Sequence, residues 1–257
     1  MSRLIAFWSP SGAGATTLLL STATAMSARQ AHLAAADFNL TTPGLALAAD
    51  LLPHDRPQSV CLSRHFAALE AGLLTLQALT GSLLPAPGFA LLPGVLDVVA
   101  GSHMTDEHVR RITRLLTGQY DHVLADLTPA LDSVACLPLL ELADRVVLVV
   151  GPEIGSRFHT RRFLLPAVAM GLTDKFIAVL NRAGAVPVAQ VAQDIGVPVQ
   201  VTVPDVRILP DMMEAGQIPY LSQSVNPALG RFRAAVDGLA TLLMMGDKVG
   251  GAAAPLR

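Results

Sequence analysis

The stretch that decides the fold reads Leu4-Ile5-Ala6-Phe7-Trp8-Ser9-Pro10-Ser11-Gly12-Ala13-Gly14-Ala15-Thr16-Thr17-Leu18-Leu19-Leu20. The unbroken apolar run from Leu4 to Trp8 has the pattern of a strand covered on both faces. A turn of small residues follows it, and a helix from Thr16 to Arg29 opens at once behind the turn. Small side chains let the backbone curl so that successive N–H groups face an anion, and the helix N-terminus adds partial positive charge. Thr16 is placed to offer its hydroxyl to Mg²⁺. A Gly-Ala-Gly turn also fits an ordinary strand-to-helix connection, so its meaning depends on the rest of the chain.

The alternation continues outward from this unit. Short apolar runs occur at Leu4–Trp8, His32–Ala36, Phe89–Leu92, His122–Ala125, Arg145–Val150, Phe176–Leu180 and Val199–Val203. Between and after them lie segments of helical period at Asp106–Thr117, Ser133–Leu142, Ser156–Met170, Pro187–Ile195 and Pro227–Met245. In the last of these Leu229, Phe232, Val236, Leu239 and Leu243 share one face. This is the pattern of βα units around a largely parallel sheet with helices on both faces, an α/β three-layer fold. With 257 residues and 52% hydrophobic content the expectation is one domain over 1–245, followed by a fraying tail at 246–257. Leu51–Pro87 is the least readable region, and no internal repeat or interdomain linker stands out.

Composition excludes several classes. Asp132, Glu141, Asp144 and Arg145 interrupt the longest apolar stretch, so nothing reaches the roughly 18 residues a spanning helix requires. The N-terminus shows no secretory leader pattern, which makes the cytoplasm the expected location. Cys61 and Cys136 have no metal-ligand spacing and read as buried thiols. A net charge of −2 argues against broad binding of nucleic acid. The run Arg110-Arg111-Ile112-Thr113-Arg114 reads as a solvated helix face. The C-terminal segment, with Lys248 and Arg257 among Gly and Ala, is not the basic amphipathic helix of a membrane-surface protein.

Two acids add to the glycine-rich turn. The second apolar run ends in Asp37-Phe38-Asn39, and Tyr120-Asp121-His122-Val123-Leu124-Ala125-Asp126-Leu127-Thr128-Pro129 sets a strand directly before Asp126. Carboxylates at the C-terminal ends of strands lie on the rim where open α/β sheets bind ligands. Asp126 stands where an acid that holds Mg²⁺ through water is found in phosphoryl-transfer proteins. Each acid alone also reads as a loop cap.

Together these elements resemble the MinD/ParA family of deviant-Walker P-loop ATPases over nearly the whole chain. The family's Lys-Gly-Gly-x-Gly-Lys-[Thr/Ser]-Thr becomes Pro10 to Thr17, its Asp-x-Asp becomes Asp37-Phe38-Asn39, and its Asp-x-x-Pro becomes Asp126 to Pro129. Phe89 to Gly94 looks like the strand before the second acid. Val179-Leu180-Asn181-Arg182 looks like the adenine-contacting Leu-Asn-Arg, and Val203-Pro204-Asp205 looks like the segment bordering the base. Gly12-Ala13-Gly14-Ala15-Thr16-Thr17 looks most like the TadZ/CpaE branch of pilus-assembly proteins. The resemblance implies ATP or ADP bound by Ser11, Gly12, Ala13, Gly14, Ala15, Thr16, Thr17, Asn181, Arg182, Pro204 and Asp205. It implies Mg²⁺ held at Thr16, Asp37 and Asp126, partly through water. It also implies a homodimer that serves a protein partner in a surface or secretion machine, recruited to the inner face of the membrane or a cell pole.

The departures fall on the working groups. The resemblance places the signature lysine at Pro10, the P-loop lysine at Ala15 and the water-orienting acid at Asn39, and no lysine precedes Lys175. One lost charge-assisted phosphate contact costs roughly 1.5–3 kcal/mol, or about ten- to a hundredfold in affinity, which binding can survive. Hydrolysis depends on positive charge over the transferring phosphoryl group and on an oriented water, so turnover should suffer more. Arg157, Arg161 or Arg162 are candidate replacements. The leading expectation is a nucleotide-binding scaffold or positioning protein with little or no hydrolysis. The alternatives are an ATPase that borrows a partner's Arg or Lys, and an interaction module that has given up nucleotide.

Overall fold

The computed structural model describes residues 2–53, 59–131 and 133–245. Its chain order is β1 (Arg3–Trp8), α1 (Ala15–Ser27), β2 (Leu33–Phe38), α2 (Leu45–Ala48), α3 (Phe66–Glu70), α4 (Leu76–Thr80), β3 (Leu84–Ala86), β4 (Phe89–Leu92), α5 (Val98–Ser102) and α6 (Asp106–Gln119). It continues β5 (His122–Leu127), α7 (Cys136–Leu142), β6 (Arg145–Val150), α8 (Ile154–Ala169), β7 (Phe176–Ala183), α9 (Val188–Ile195), β8 (Val199–Pro204), α10 (Leu209–Glu214) and α11 (Pro227–Met244). The expected tail at 246–257 lies outside the described residues.

Eight strands form one sheet in the order β3-β4-β2-β5-β1-β6-β7-β8. Every neighbouring pair is parallel except β3 and β4. β1 is central, and the chain leaves it toward β2 on one side and later toward β6 on the other. The C-terminal end of β1 is therefore a topological switch point, the place where open parallel sheets form a ligand crevice.

Alternate residues of β1 feed two cores, one on each face of the sheet. Leu4, Ala6 and Trp8 pack with Val109, Ile112 and Leu116 of α6 and with Leu139 and Leu140 of α7. Ile5 and Phe7 face the other way, with Leu18 and Leu19 of α1 and Phe232 and Val236 of α11. Burial on both faces explains why the strands read as continuous apolar runs. All five residues assigned to the inner face of α11 are buried. Trp8, wholly buried, meets Phe163 edge-on at 6.3 Å and stacks near Phe176 at 6.4 Å. Cys61 and Cys136 are buried, as expected.

β3 has no counterpart in the apolar-run reading. It is three residues long with an exposed Pro85, too short to show a period and tolerated because it is an edge strand. Pro87-Gly88 joins it to β4, with Gly88 at φ 87°, a backbone angle that glycine reaches without strain. The arginine run on α6 is tied down rather than merely solvated. Arg110 pairs with Asp106 at 2.6 Å and Glu141 at 2.8 Å, Arg114 pairs with Glu107 at 2.8 Å, and Arg111 donates to the Leu74 carbonyl at 2.7 Å.

Candidate nucleotide site at the switch point

Ser9 ends the β1 run and organises the loop. Its buried hydroxyl donates to the Val149 carbonyl of β6 (2.9 Å) and accepts from the Ala13 amide (2.7 Å), while the Gly12 amide returns to the Ser9 carbonyl (3.2 Å). Gly12 and Gly14 sit at φ 69° and 92°, left-handed angles that curl the loop and that other residues adopt only at a cost. A Cβ on Gly14 would also stand 2.8 Å from Asn181 Nδ2. α1 begins at Ala15, one residue from the expected start. Pro10 and Ala15, where the resemblance places lysines, are both buried.

The strands run through the two acids instead of stopping before them. Asp37 lies in β2 and Asp126 in β5, directly opposite each other in the ladder, each 2% exposed. Asp126 accepts from the Thr16 hydroxyl at 2.7 Å, and Asp37 accepts from the Asn39 amide (3.0 Å) and the Leu45 amide (2.9 Å). Gly94 presses on this group, since a Cβ there would lie 3.0 Å from the Asp37 carboxyl carbon. Burial raises the Asp37 carboxyl to about 6 against the opposing pull of backbone N–H donors. Asp126 is pushed well above the usual carboxylate range, first by burial and then by the charge of Asp37, with the Thr16 bond opposing. Among the described residues no cationic side chain compensates either acid. Two hard-oxygen acids and a hydroxyl at the head of a helix fit Mg²⁺, which takes one or two carboxylates and keeps several waters. No group of three or more His, Cys, Asp or Glu forms a denser cluster among the described residues.

Asn39 caps its own loop. Its Oδ1 accepts from the Thr41 and Thr42 amides (3.3 and 3.0 Å), and its Nδ2 donates to the Thr42 hydroxyl at 3.1 Å. On the other side of the loop, Ser11 and Ser156 share a 2.6 Å hydroxyl contact, and Ser156 also accepts from the Gly151 amide at 2.8 Å.

A cleft of about 280 Å³ opens beside the loop. Gly12, Ala13, Gly14 and Thr17 form one wall, and Asn181, Arg182, Asp205 and Arg207 form the other. A bulge in the β7–β8 pairing delivers Asn181 and Arg182 there, with Arg182 in a left-handed conformation at φ 57° that only a specific local need sustains. Asn181 Nδ2 donates to the Ala13 carbonyl at 2.8 Å, which fixes the amide; its buried Oδ1 has no partner among the described residues, nor has the buried Thr128 hydroxyl. Unpaired buried acceptors are uncommon, and a ligand donor is one way to satisfy them. A groove of about 320 Å³ between Ala49, Pro87 and Ile218 is larger, but no charged side chain lines it.

No protein-family model matches the chain, and no curated protein matches it. Solved structures do. A ParA family ATPase from Chlorobium tepidum superposes with a TM-score of 0.78 at 18% identity over 94% of this chain and 99% of that one. The fold is that of the ParA and MinD ATPases. The septum site-determining protein MinD of Pyrococcus horikoshii, solved with Mg-ADP, gives 0.75 at 21% identity over all of both chains. MinD of Aquifex aeolicus, solved in a MinC:MinD complex, gives 0.72 at 20% identity over 100% of this chain and 99% of that one.

Within that fold, Ser11 to Thr17 form the loop and helix start, Gly12, Ala13, Gly14, Thr17, Asn181, Arg182 and Asp205 line one cleft, and Thr16, Asp37 and Asp126 come together outside its lining. Pro204 does not line the cleft; it closes β8 opposite Ala183. Arg157 is withdrawn from the rim by an ion pair with Asp194 of α9, which corrects its candidacy as a replacement cation. Arg161 and Arg162 are exposed on α8 and do not line the cleft. Sequence reading missed Arg207, an exposed residue in a loop without period, for which only its place two residues after Asp205 was a signal.

Proposed function

We propose that this protein is a MinD/ParA-like, Mg²⁺-dependent adenine-nucleotide-binding scaffold or positioning protein with little or no intrinsic ATP hydrolysis. One observation carries the reading: a left-handed glycine loop opens a helix whose Thr16 bonds one of two buried carboxylates that no cation among the described residues compensates, on a chain with no lysine before Lys175. The loop, Thr16, Asp37 and Asp126 supply what binding requires. Pro10, Ala15 and Asn39 lack the charges and the acid that turnover requires. The Asn181 carboxamide oxygen, fixed and without a partner among the described residues, is an acceptor for the exocyclic amine of a base.

The protein acts by contact with other proteins. It pairs with a second copy, and the pair serves a surface or secretion machine such as a pilus from the cytoplasmic side. Among the described residues no helix is long and apolar enough to cross a membrane. In support of pairing, α8 leaves Ile154 and Phe158 exposed by 79% and 64% at the rim, next to the Ser11–Ser156 contact. Calorimetry with ATP and ADP, with and without Mg²⁺, tests the reading. Binding in the micromolar to sub-millimolar range, lost in EDTA, is expected after roughly 1.5–3 kcal/mol of lost lysine contact. No heat and no thermal shift at millimolar Mg-ADP and Mg-ATP would leave only the interaction-module reading.

A further inference from the structure

Thr16, Asp37 and Asp126 form the candidate metal seat, and the strand that carries Asp126 brings a further oxygen to it. Along β5 the side chains alternate. Val123, Ala125 and Leu127 pack into the core on the α6 and α7 face, while Leu124 packs on the α1 face and Asp126 accepts from Thr16 of α1. Continuing that alternation by one step sets Thr128 on the face of Asp126, toward α1. The β2–β5 register pairs Asp37 with Asp126 and Phe38 with Leu127, so its next step brings Thr128 beside Asn39, just past the strand ends. Asn39 has turned its own side chain to Thr41 and Thr42. Thr128 is 1% exposed, and its hydroxyl has no partner among the described residues. A sealed hydroxyl without a partner is unfavourable, which makes it a group for a ligand or a water to complete.

We propose that Thr128 is an outer-sphere positioning residue of the Mg²⁺ seat, its hydroxyl holding a water bound to the metal that Thr16, Asp37 and Asp126 share. This rests on the Mg²⁺ part of the reading above. Mg²⁺ keeps several of its waters where a protein supplies only one or two carboxylates, and each such water has protons to donate. A threonine hydroxyl offers two acceptor lone pairs, so it can take one of those protons. Other acceptors at the seat are already engaged. Asp37 accepts the Asn39 and Leu45 amides, one on each carboxylate oxygen, and Asp126 accepts Thr16. Asn39 is committed to its own loop. In the metal-free fold the seat is closed, with both acids and Thr128 buried. Thr16 has to release Asp126 to offer its oxygen to a metal, and that release opens the seat for the metal's waters.

The test compares the wild type with Thr128→Val, Thr128→Ser and, as a control on a buried hydroxyl that also lacks a partner but lies on α8, Thr160→Val. Two quantities are read on the full chain: the free Mg²⁺ concentration that half-restores ADP binding in calorimetry, and the shift in melting temperature that Mg²⁺ alone produces at pH 8. Thr128→Val should need about tenfold more Mg²⁺ or beyond, the usual effect of losing an outer-shell partner of a metal, and its shift with Mg²⁺ alone should shrink to match. Thr128→Ser keeps the hydroxyl and should stay within about threefold of the wild type, and Thr160→Val should match it. In EDTA, Thr128→Val should melt at or above the wild type, because a hydroxyl without a partner gives way to a methyl of similar shape. A Thr128→Val protein with the wild-type Mg²⁺ requirement, or a Thr128→Ser protein as impaired as Thr128→Val, would overturn the assignment while leaving the nucleotide reading intact. So would a Thr128→Val protein that melts well below the wild type in EDTA, since the fold would then already satisfy the hydroxyl. A wild type that binds ADP equally well without Mg²⁺ and shows no Mg²⁺ shift would overturn the metal seat and this assignment with it. A wild type that responds to neither ADP nor Mg²⁺ would overturn the nucleotide reading as well.

Discussion

Replacing Asp126 by Asn should make the metal-free protein more stable and its metal response weaker. Asp37 and Asp126 face each other on adjacent strands, with no cationic side chain among the described residues compensating them. Holding both ionised in the fold is unfavourable. Asp126 bears the cost of its own burial and, after that, the charge of Asp37, whose carboxyl burial raises to about 6. A neutral side chain at 126 removes both, and the relief expected for one unpaired buried charge after structural relaxation is about 1–3 kcal/mol. The sign follows from the direction of the shift. A carboxyl whose folded pKa is raised stabilises the fold fully below its unfolded pKa near 4, and that contribution is lost as pH rises through 6 and beyond. Wild-type protein in EDTA should therefore lose stability between pH 4 and pH 8, while Asp126→Asn loses less.

Asn is close in shape to Asp and keeps an oxygen for the Thr16 hydroxyl, so packing changes little. For a chain of this size each kcal/mol moves the melting temperature by about 2–4 °C, which puts the variant about 2–12 °C above the wild type at pH 8 in EDTA. Excess Mg²⁺ should raise the wild-type melting temperature at pH 8 and have little effect at pH 5. The variant should respond weakly at both. Circular-dichroism melts across this pH range decide the matter. A variant that melts below the wild type at pH 8 without metal, or an equal Mg²⁺ response in both proteins, would refute the idea that the two acids form a charge-uncompensated metal seat.

Gly14→Ala should weaken Mg-ADP binding by at least tenfold and lower the melting temperature, since it places a methyl at φ 92° and 2.8 Å from Asn181 Nδ2; calorimetry and melts read both effects. Phe158→Asp should shift any nucleotide-bound dimer toward monomer in sedimentation at tens of micromolar protein while leaving the melting temperature within about 1 °C, because the side chain is 64% exposed. In steady-state assays the wild type should hydrolyse ATP at background, and Pro10→Lys with Asn39→Asp should raise the rate by more than the two single effects combined, as expected for groups acting on one transition state. Robust wild-type turnover abolished by Asp126→Ala would show that another group has replaced the missing charge.

The fold was legible because parallel strands buried on both faces leave uninterrupted apolar runs, and all seven expected runs became strands of one sheet. What escaped notice lacked a period. β3 holds three residues and a proline, and its pairing is set by the Pro87-Gly88 turn rather than by its own side chains. The placement of the candidate site was legible wherever it follows from a residue's position in a βα unit, as with Thr16, Asp37 and Asp126. It was illegible where the role depends on which distant segment arrives opposite. Arg157 has the right composition and the right rim, but Asp194 on the next helix draws it away. Arg207 sits in an unremarkable loop, but the chain after β8 brings that loop into the same cleft lining as Gly12.

The same distinction bears on the missing lysines. The lysine positions at 10 and 15 are buried in this loop, and Asn39 spends its side chain holding Thr41 and Thr42 in a turn. A charge lost from such positions is not regained by a neighbour in sequence, because the residues beside them are committed to shaping the backbone. Compensation can come only from another part of the sheet's rim, where an exposed side chain is free to reach in. Hydrolysis requires charge on the transferring group at one place and one moment, whereas binding requires only net attraction over the whole ligand. The absence of charge at these positions therefore weighs far more on the first than on the second.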